Sequence, residues 1–238
     1  MFKPRMIAEN VKNLKERIAN ACLAASRTPD SVSLLAVTKT FGEGKIRDAI
    51  GAGIFDFGEN YVQELTAKRE KLRDEKIRWH FIGHLQSNKV KYIADWITMI
   101  HSVDNDGVAS EIEKHGSRLG RTIKVLVEVN TSAEATKFGV RPAEAGGLLR
   151  RIAGHPHLEI QGLMTVGPFT DDADESRRSF RLLKKIFDEV NSAGILPRAM
   201  THLSMGMSHD FPTAIAEGAT IIRIGTAIFG ARAASHVN

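Results

Sequence analysis

Lys39 stands directly after an apolar run, Leu34-Leu35-Ala36-Val37-Thr38. A primary amine at the end of a buried strand lies where water thins out. Desolvation favours its neutral form, and a neutral amine attacks aldehydes. The competing reading is a lysine whose stem follows the strand end and whose ammonium stays in water. Two turns far downstream weigh against it: Ser204-Met205-Gly206-Met207-Ser208 and Arg223-Ile224-Gly225-Thr226. Each sets a glycine and a hydroxyl after apolar residues, and Ser204, Gly206, Gly225 and Thr226 are the expected phosphate-holding positions. Backbone N–H groups in such turns donate to phosphate oxygens. An amine with a phosphate cradle points to pyridoxal 5'-phosphate (PLP), an aldehyde carrying its own phosphate handle.

Arg223 interrupts the apolar run Ile221-Ile222-Arg223-Ile224 and is expected to face the barrel interior or the ligand. A guanidinium has no acceptor, so beside a pyridine nitrogen it opposes protonation and weakens the ring as an electron sink. An internal ion pair with Glu128 accounts for Arg223 equally well. Asn60 is read as a donor to the cofactor's ring oxygen or to Lys39, or as an ordinary turn residue. His84, His101 and His202 are candidates for proton transfer or for hydrogen-bonded core positions. His155 and His157 flank Pro156 without a metal-ligand spacing, and neither a Walker loop nor a dinucleotide fingerprint occurs.

Something must bring these residues together, and the chain shows a regular alternation. Ile7, Val11, Leu14, Ile18 and Cys22 recur every three or four residues and predict an opening helix. Short apolar runs then alternate with amphipathic stretches. The predicted strands are 34–38, 54–57, 79–82, 99–103, 123–129, 158–164, 200–203 and 221–224. Eight strands with intervening helices predict an α/β fold: a (β/α)8 TIM-like barrel with an extra helix in front. Barrel sites gather where strands end. Those ends are Lys39, Asn60, His84, Met164, Ser204 and Arg223. The acidic stretch 167–175 is read as a flexible loop at the mouth, and the charge run from Lys68 to Arg73 as a solvated helix face.

A length of 238 residues suits one barrel, so residues 1–238 are expected to form a single domain. Hydrophobic residues at 42% and charged residues at 26% fit a globule with a sizeable core. The single cysteine, Cys22, excludes an intramolecular disulfide and a cysteine-based zinc site. The amino end has no apolar signal core, and no apolar run approaches a membrane span. A cytoplasmic protein is expected, with no membrane partner. The net charge of +5 is dispersed, which suits a small anionic ligand and gives no nucleic-acid footprint.

Three blocks near the start carry a resemblance: Leu35-Ala36-Val37-Thr38-Lys39, Phe57-Gly58-Glu59-Asn60-Tyr61-Val62-Gln63-Glu64, and the stretch from Trp79 through Gly83-His84-Leu85-Gln86-Ser87-Asn88-Lys89. Two near the end complete it: Leu203-Ser204-Met205-Gly206-Met207-Ser208 and Ile222-Arg223-Ile224-Gly225-Thr226-Ala227-Ile228-Phe229-Gly230. Across nearly its whole length the chain resembles the pyridoxal phosphate homeostasis proteins. The resemblance implies a barrel like the N-terminal domain of alanine racemase. It also implies PLP joined to Lys39 as a Schiff base, phosphate around Ser204, Gly225 and Thr226, and Arg223 near the pyridine nitrogen. Asn60, Met164, Gly206 and Met207 complete the expected cofactor-binding set. Thr38, often serine in such proteins, is a mild departure.

The function expected is a PLP carrier or regulator in vitamin B6 and amino-acid homeostasis. It would have no catalytic residues of its own and would supply PLP-dependent apoenzymes. Two alternatives use the same parts: a PLP-dependent amino-acid racemase, and a cofactor-free Schiff-base aldolase for a phosphorylated sugar. A racemase needs a second base on the opposite face of the substrate. In alanine racemase that base is a tyrosine from a further domain. Here only Tyr61 and Tyr92 are present and neither is an obvious substitute, while the sequence stops at Asn238 soon after strand eight.

Overall fold

Aliphatic and β-branched runs form eight parallel strands: β1 (Ser33–Val37), β2 (Asp56–Glu59), β3 (Arg78–Phe81), β4 (Met99–Val103), β5 (Ile123–Glu128), β6 (Leu158–Met164), β7 (His202–Ser204) and β8 (Ile221–Ile224). Each strand pairs with its neighbour in chain order, and β8 returns to β1 to close the barrel. The closing register sets Leu35 against Arg223 and Ala36 against Ile224. The computed structural model describes residues 4–132, 134 and 136–231. The ends read above, Met1–Lys3 and the stretch to Asn238, lie outside them.

The helices are α1 (Pro4–Ala24), α2 (Glu43–Gly51), α3 (Val62–Lys71), α4 (Asp106–Leu119), α5 (Pro142–Ile152), α6 (Ala173–Ser192), α7 (Phe211–Ala216) and α8 (Thr226–Phe229). Strand alternation splits the core in two. Leu35, Val37, Ile82, Met99, Leu126, Met164 and Ile221 fill the barrel interior. Ala36, Phe57, Phe81, Ile100 and Ile224 belong to the larger core between strands and helices. The extra helix is α1, which buries Ile7, Val11, Leu14, Ile18 and Cys22 against α2, α7 and α8.

Several elements differ from the sequence reading. Strand two is displaced to Asp56–Glu59 because Glu59, fully buried, is held there by Thr38 and Lys68. A 3-10 segment, Ser87–Tyr92, follows β3 where the alternation predicts a helix, and the Gly225 turn opens a short helix, α8. The last three residues of the acidic 167–175 stretch are helix, not loop. Asp172 caps α6 by accepting from Asp174 N at 2.8 Å, and Asp174 and Glu175 lie in its first turn, where the helix dipole favours negative charge. Lys68 is not on a solvated face: it is 6% exposed.

Candidate functional site

At the end of β1, Thr38 is buried and Lys39 is half-buried. Thr40 has φ +69°, a left-handed conformation that costs a β-branched residue about 1–3 kcal/mol. Its N–H donates to Glu64 Oε1 at 2.7 Å. The chain thus turns sharply just after the amine, and α3 holds the turn.

The glycine turn at Gly225 lies against the strand whose end carries Lys39. A Cβ at Gly225 would stand 3.4 Å from the carbonyl oxygen of Val37, two residues before Lys39. The start of α8 therefore abuts the end of β1. The first N–H groups of a helix, here Thr226 and Ala227, lack intrahelical acceptors and face whatever precedes the helix. Ser208 adds a hydroxyl: its Oγ is 3.4 Å from Ala227 N. Gly206 has φ +92°, and an added Cβ would meet Ala214 Cβ at 2.5 Å. Gly206 is thus required by the turn and the packing of α7 beneath it. Met207 N donates to Asp210 Oδ1 at 2.6 Å, which fixes the half-buried Met207 at the rim of the same turn.

Ser204 has another task. Its hydroxyl is fully buried, 2.8 Å from Arg223 Nη1 and 3.1 Å from His101 Nδ1. The hydroxyl beside the start of α8 is that of Ser208, four residues on. Strand alternation explains the difference: the last residue of β7 turns inward, while the loop residue reaches α8. The stretch Leu203–Ser208 carries both serines, and strand parity tells them apart.

Arg223 does point into the barrel, and it is 5% exposed. Its guanidinium donates to Ser204 Oγ and, at 2.7 Å, to Thr165 O. Burial lowers Arg223 to about 10, with Glu128 and Asp210 opposing through space, so it stays charged at neutral pH. The Glu128 reading is therefore replaced by hydrogen bonds to neutral partners plus a longer-range attraction. Ser204 is oriented in turn by His101, whose Nε2 lies 2.9 Å from His80 Nδ1. Burial, then His80 and Arg223, push His101 well below the usual histidine range, so it is neutral. With Arg223 donating to Ser204, one consistent polarity runs Arg223, Ser204, His101, His80, each donating to the next. His80 Nε2 ends 3.5 Å from Asp56 Oδ1, at the start of β2. Burial alone would raise Asp56; His80 and the bidentate Arg78 more than offset it and hold the carboxyl at about 2.

A concavity opens beside this group, lined by Asn60, Ile82, His84, Glu128, Phe138 and Val166. Asn60 Oδ1 is buried there with no hydrogen-bond partner. Met164 lies fully buried in the interior cluster on which Val166 packs. His84 stacks on Phe138 at 3.9 Å and is 3.6 Å from Asp104. His202 begins β7, away from the strand ends, with Thr220 Oγ1 at 3.4 Å. His157 binds Glu113, and the described residues contain no cluster of metal-ligating side chains.

Burial, then the nearby Asp104, push Glu128 up to about 7, with Arg223 pulling the other way. Below about 4.5 both folded and unfolded chains hold this proton. Between there and about 7 only the folded chain keeps it, so its contribution to stability falls as pH rises. At 1.36 kcal/mol per pKa unit the loss reaches about 3 kcal/mol above pH 7. Glu128→Gln should match the parent at pH 4 and exceed it by about 2–3 kcal/mol at pH 8, in urea unfolding at each pH. An advantage that does not grow with pH would refute the assignment.

A closed parallel barrel with a lysine at one strand end, and a phosphate-type turn against it, defines a class. The family model described as alanine racemase, N-terminal domain, matches residues 6–233. A pyridoxal phosphate homeostasis protein of Aquifex aeolicus is 42% identical over 224 residues, 94% of this chain and 97% of its own. The chain belongs to the pyridoxal phosphate homeostasis protein family. Two solved structures share the fold closely. An unknown protein from Bifidobacterium adolescentis is 41% identical with TM-score 0.90, covering 95% of each chain. PipY of Synechococcus elongatus, with PLP bound, is 36% identical with TM-score 0.82, covering 94% of this chain and all of its own.

Proposed function

We propose that this chain binds PLP as a Schiff base on Lys39 and serves intracellular PLP and amino-acid homeostasis as a carrier or regulator. The observation that supports this reading is the 3.4 Å approach of the Gly225 position to Val37 O, which sets the glycine turn against the strand end that carries Lys39. The residues present fit the cofactor. The unpartnered Asn60 oxygen is a polar group in want of a ligand, and amide orientation lets either atom face it. Gly225, Thr226, Ser208 and the Gly206–Met207 turn would hold the phosphate, and Met164 with Val166 would floor the site. When bound, PLP supplies an aldehyde that condenses reversibly with an amine and can act as an electron sink. Lys39 supplies that amine, and Arg223 governs the ring nitrogen.

Arg223 argues for holding over turnover. It is charged, it is fixed by Ser204 and Thr165, and it offers no acceptor to a protonated ring nitrogen. Tyr61 and Tyr92 are both exposed, at 61% and 49%, a poor environment for a tuned second base. We place the protein in the cytoplasm, in keeping with its lone, buried thiol; among the described residues no helix is long and apolar enough to cross a membrane. PLP-dependent apoenzymes are the partners proposed. Purified PLP-loaded protein should reactivate an apoenzyme when free PLP is scavenged, and should interconvert alanine enantiomers negligibly. Rapid racemisation would reverse the assignment, and failure to reactivate any apoenzyme would remove the carrier role. A sugar-phosphate adduct reducible by borohydride, without a PLP spectrum, would favour the aldolase.

A further inference from the structure

Lys68 opens the basic run of α3, yet its ammonium is turned inward and all three of its N–H donors are satisfied. They reach Thr38 O at 2.6 Å, Glu64 Oε1 at 2.7 Å, and Glu59 Oε1. Thr38 Oγ1 also donates to Glu59 Oε1, at 2.6 Å. Glu64 Oε1 accepts a second hydrogen bond, from Thr40 N at 2.7 Å. One ion pair thus holds both peptide units that flank the Lys39 Cα: the Thr38 carbonyl ahead of it and the Thr40 N–H behind it. Those two units define φ and ψ of Lys39, and so the direction in which its Cα–Cβ bond leaves the chain. The left-handed Thr40, at φ +69°, is held by the same carboxylate.

A buried lysine–carboxylate pair contributes little net stability, because desolvation offsets the attraction. Its geometry here is spent on the two bonds nearest Lys39. We propose that Lys68 and Glu64 are positioning residues that aim the Lys39 amine, with Glu59 anchoring Lys68 from behind. The inference rests on the reading of Lys39 as the amine that takes PLP. Reacting groups tolerate little misplacement, since an error of about 1 Å costs on the order of a hundredfold in rate.

The test compares Glu64→Ala, Glu64→Gln and Lys68→Met with the parent, using PLP itself as probe. The Glu64 side chain is 26% exposed, so its truncation leaves Lys68 with Glu59 and Thr38 and keeps the barrel folded. Two readouts are needed. In the protein without PLP, amide hydrogen exchange at Thr40 should speed at least about tenfold in Glu64→Ala and stay slow in Glu64→Gln, whose amide oxygen still accepts. With PLP, the rate of borohydride-trapped capture at Lys39, read by peptide mass, should fall about tenfold or more in Glu64→Ala and Lys68→Met. Glu64→Gln should lie within about twofold of the parent, since it keeps the acceptor. A folded Glu64→Ala that captures PLP at the parent's rate overturns the proposal, whatever its exchange behaviour. If Lys68→Met does not fold, the Ala and Gln variants at Glu64 decide alone. Trapping of PLP on another lysine in the parent would instead overturn the reading of Lys39, visibly and before any variant is compared.

Discussion

Lys39→Ala should abolish covalent PLP while leaving the barrel intact. Lys39 is half-buried at a strand end, outside both hydrophobic clusters, so its truncation removes no core volume. Surface-like substitutions of this kind shift stability by about 0.5 kcal/mol, and Tm by no more than about 2 °C in a chain of this size. The ligand loses far more. Without the carbon–nitrogen bond, PLP would keep the phosphate turn, Asn60, Arg223 and the apolar floor. Loss of about 3 kcal/mol or more corresponds to at least a hundredfold weaker binding. Dialysis should strip the near-visible band from the variant and leave it on the parent, with matching circular dichroism. Retention of the band after dialysis would mean that another amine holds the aldehyde.

Gly83→Ala should be strongly damaging to the loops near the site. A Cβ at Gly83 would lie 2.1 Å from Asn60 O and 2.7 Å from Asn60 Cα. These are backbone atoms, so no side-chain rotation relieves the clash. The loop after β2 must move away from the end of β3, and Asn60 moves with it. Overpacking against fixed backbone costs roughly 3 kcal/mol, which lowers Tm by about 6–12 °C. Because Asn60 faces the concavity beside Glu128, PLP affinity should fall as well. Thermal unfolding with a PLP titration checks both effects. A variant that melts and binds like the parent would show that Gly83 tolerates a side chain, and with it that the Asn60 approach is misplaced.

The barrel was legible because its signals are local. β5 is aliphatic at every buried position before its last residue, Glu128, and α1 repeats its apolar residues at helical spacing. Lys39 was legible for the same reason: it is a cation at the end of an apolar run. Arg223 stood out as the one charge within β8. What escaped depends on partners distant in sequence. Lys68 reads as one more charge in a basic run. Only the fold brings Glu59 and the Thr38 carbonyl to it, 9 and 30 residues away. Its burial also moved β2 from its apolar start to a strand that ends in a buried acid. Ser204 and Ser208 share a block, and only the strand's parity at β7 separates the inward hydroxyl from the one beside α8. The His80–His101 contact spans two strands and has no spacing signature.

These long-range contacts converge on a single arrangement. Arg223 is held from below by Ser204 and His101, Lys39 from behind by Lys68 and Glu64, and the α8 turn lies against β1. Arg223 and Ser204 are buried, and Lys39 and Gly225 are half-buried at the same end of the barrel. Such preorganisation suits a site that holds a reactive aldehyde in one orientation.

Mixing the protein with PLP, reducing with borohydride and mapping the modified peptide locates the amine that forms the Schiff base. One fixed pyridoxyl group per chain is expected, on the Lys39 side chain. A stoichiometric adduct on any other lysine, or none on protein that still retains PLP, would contradict the Lys39 assignment.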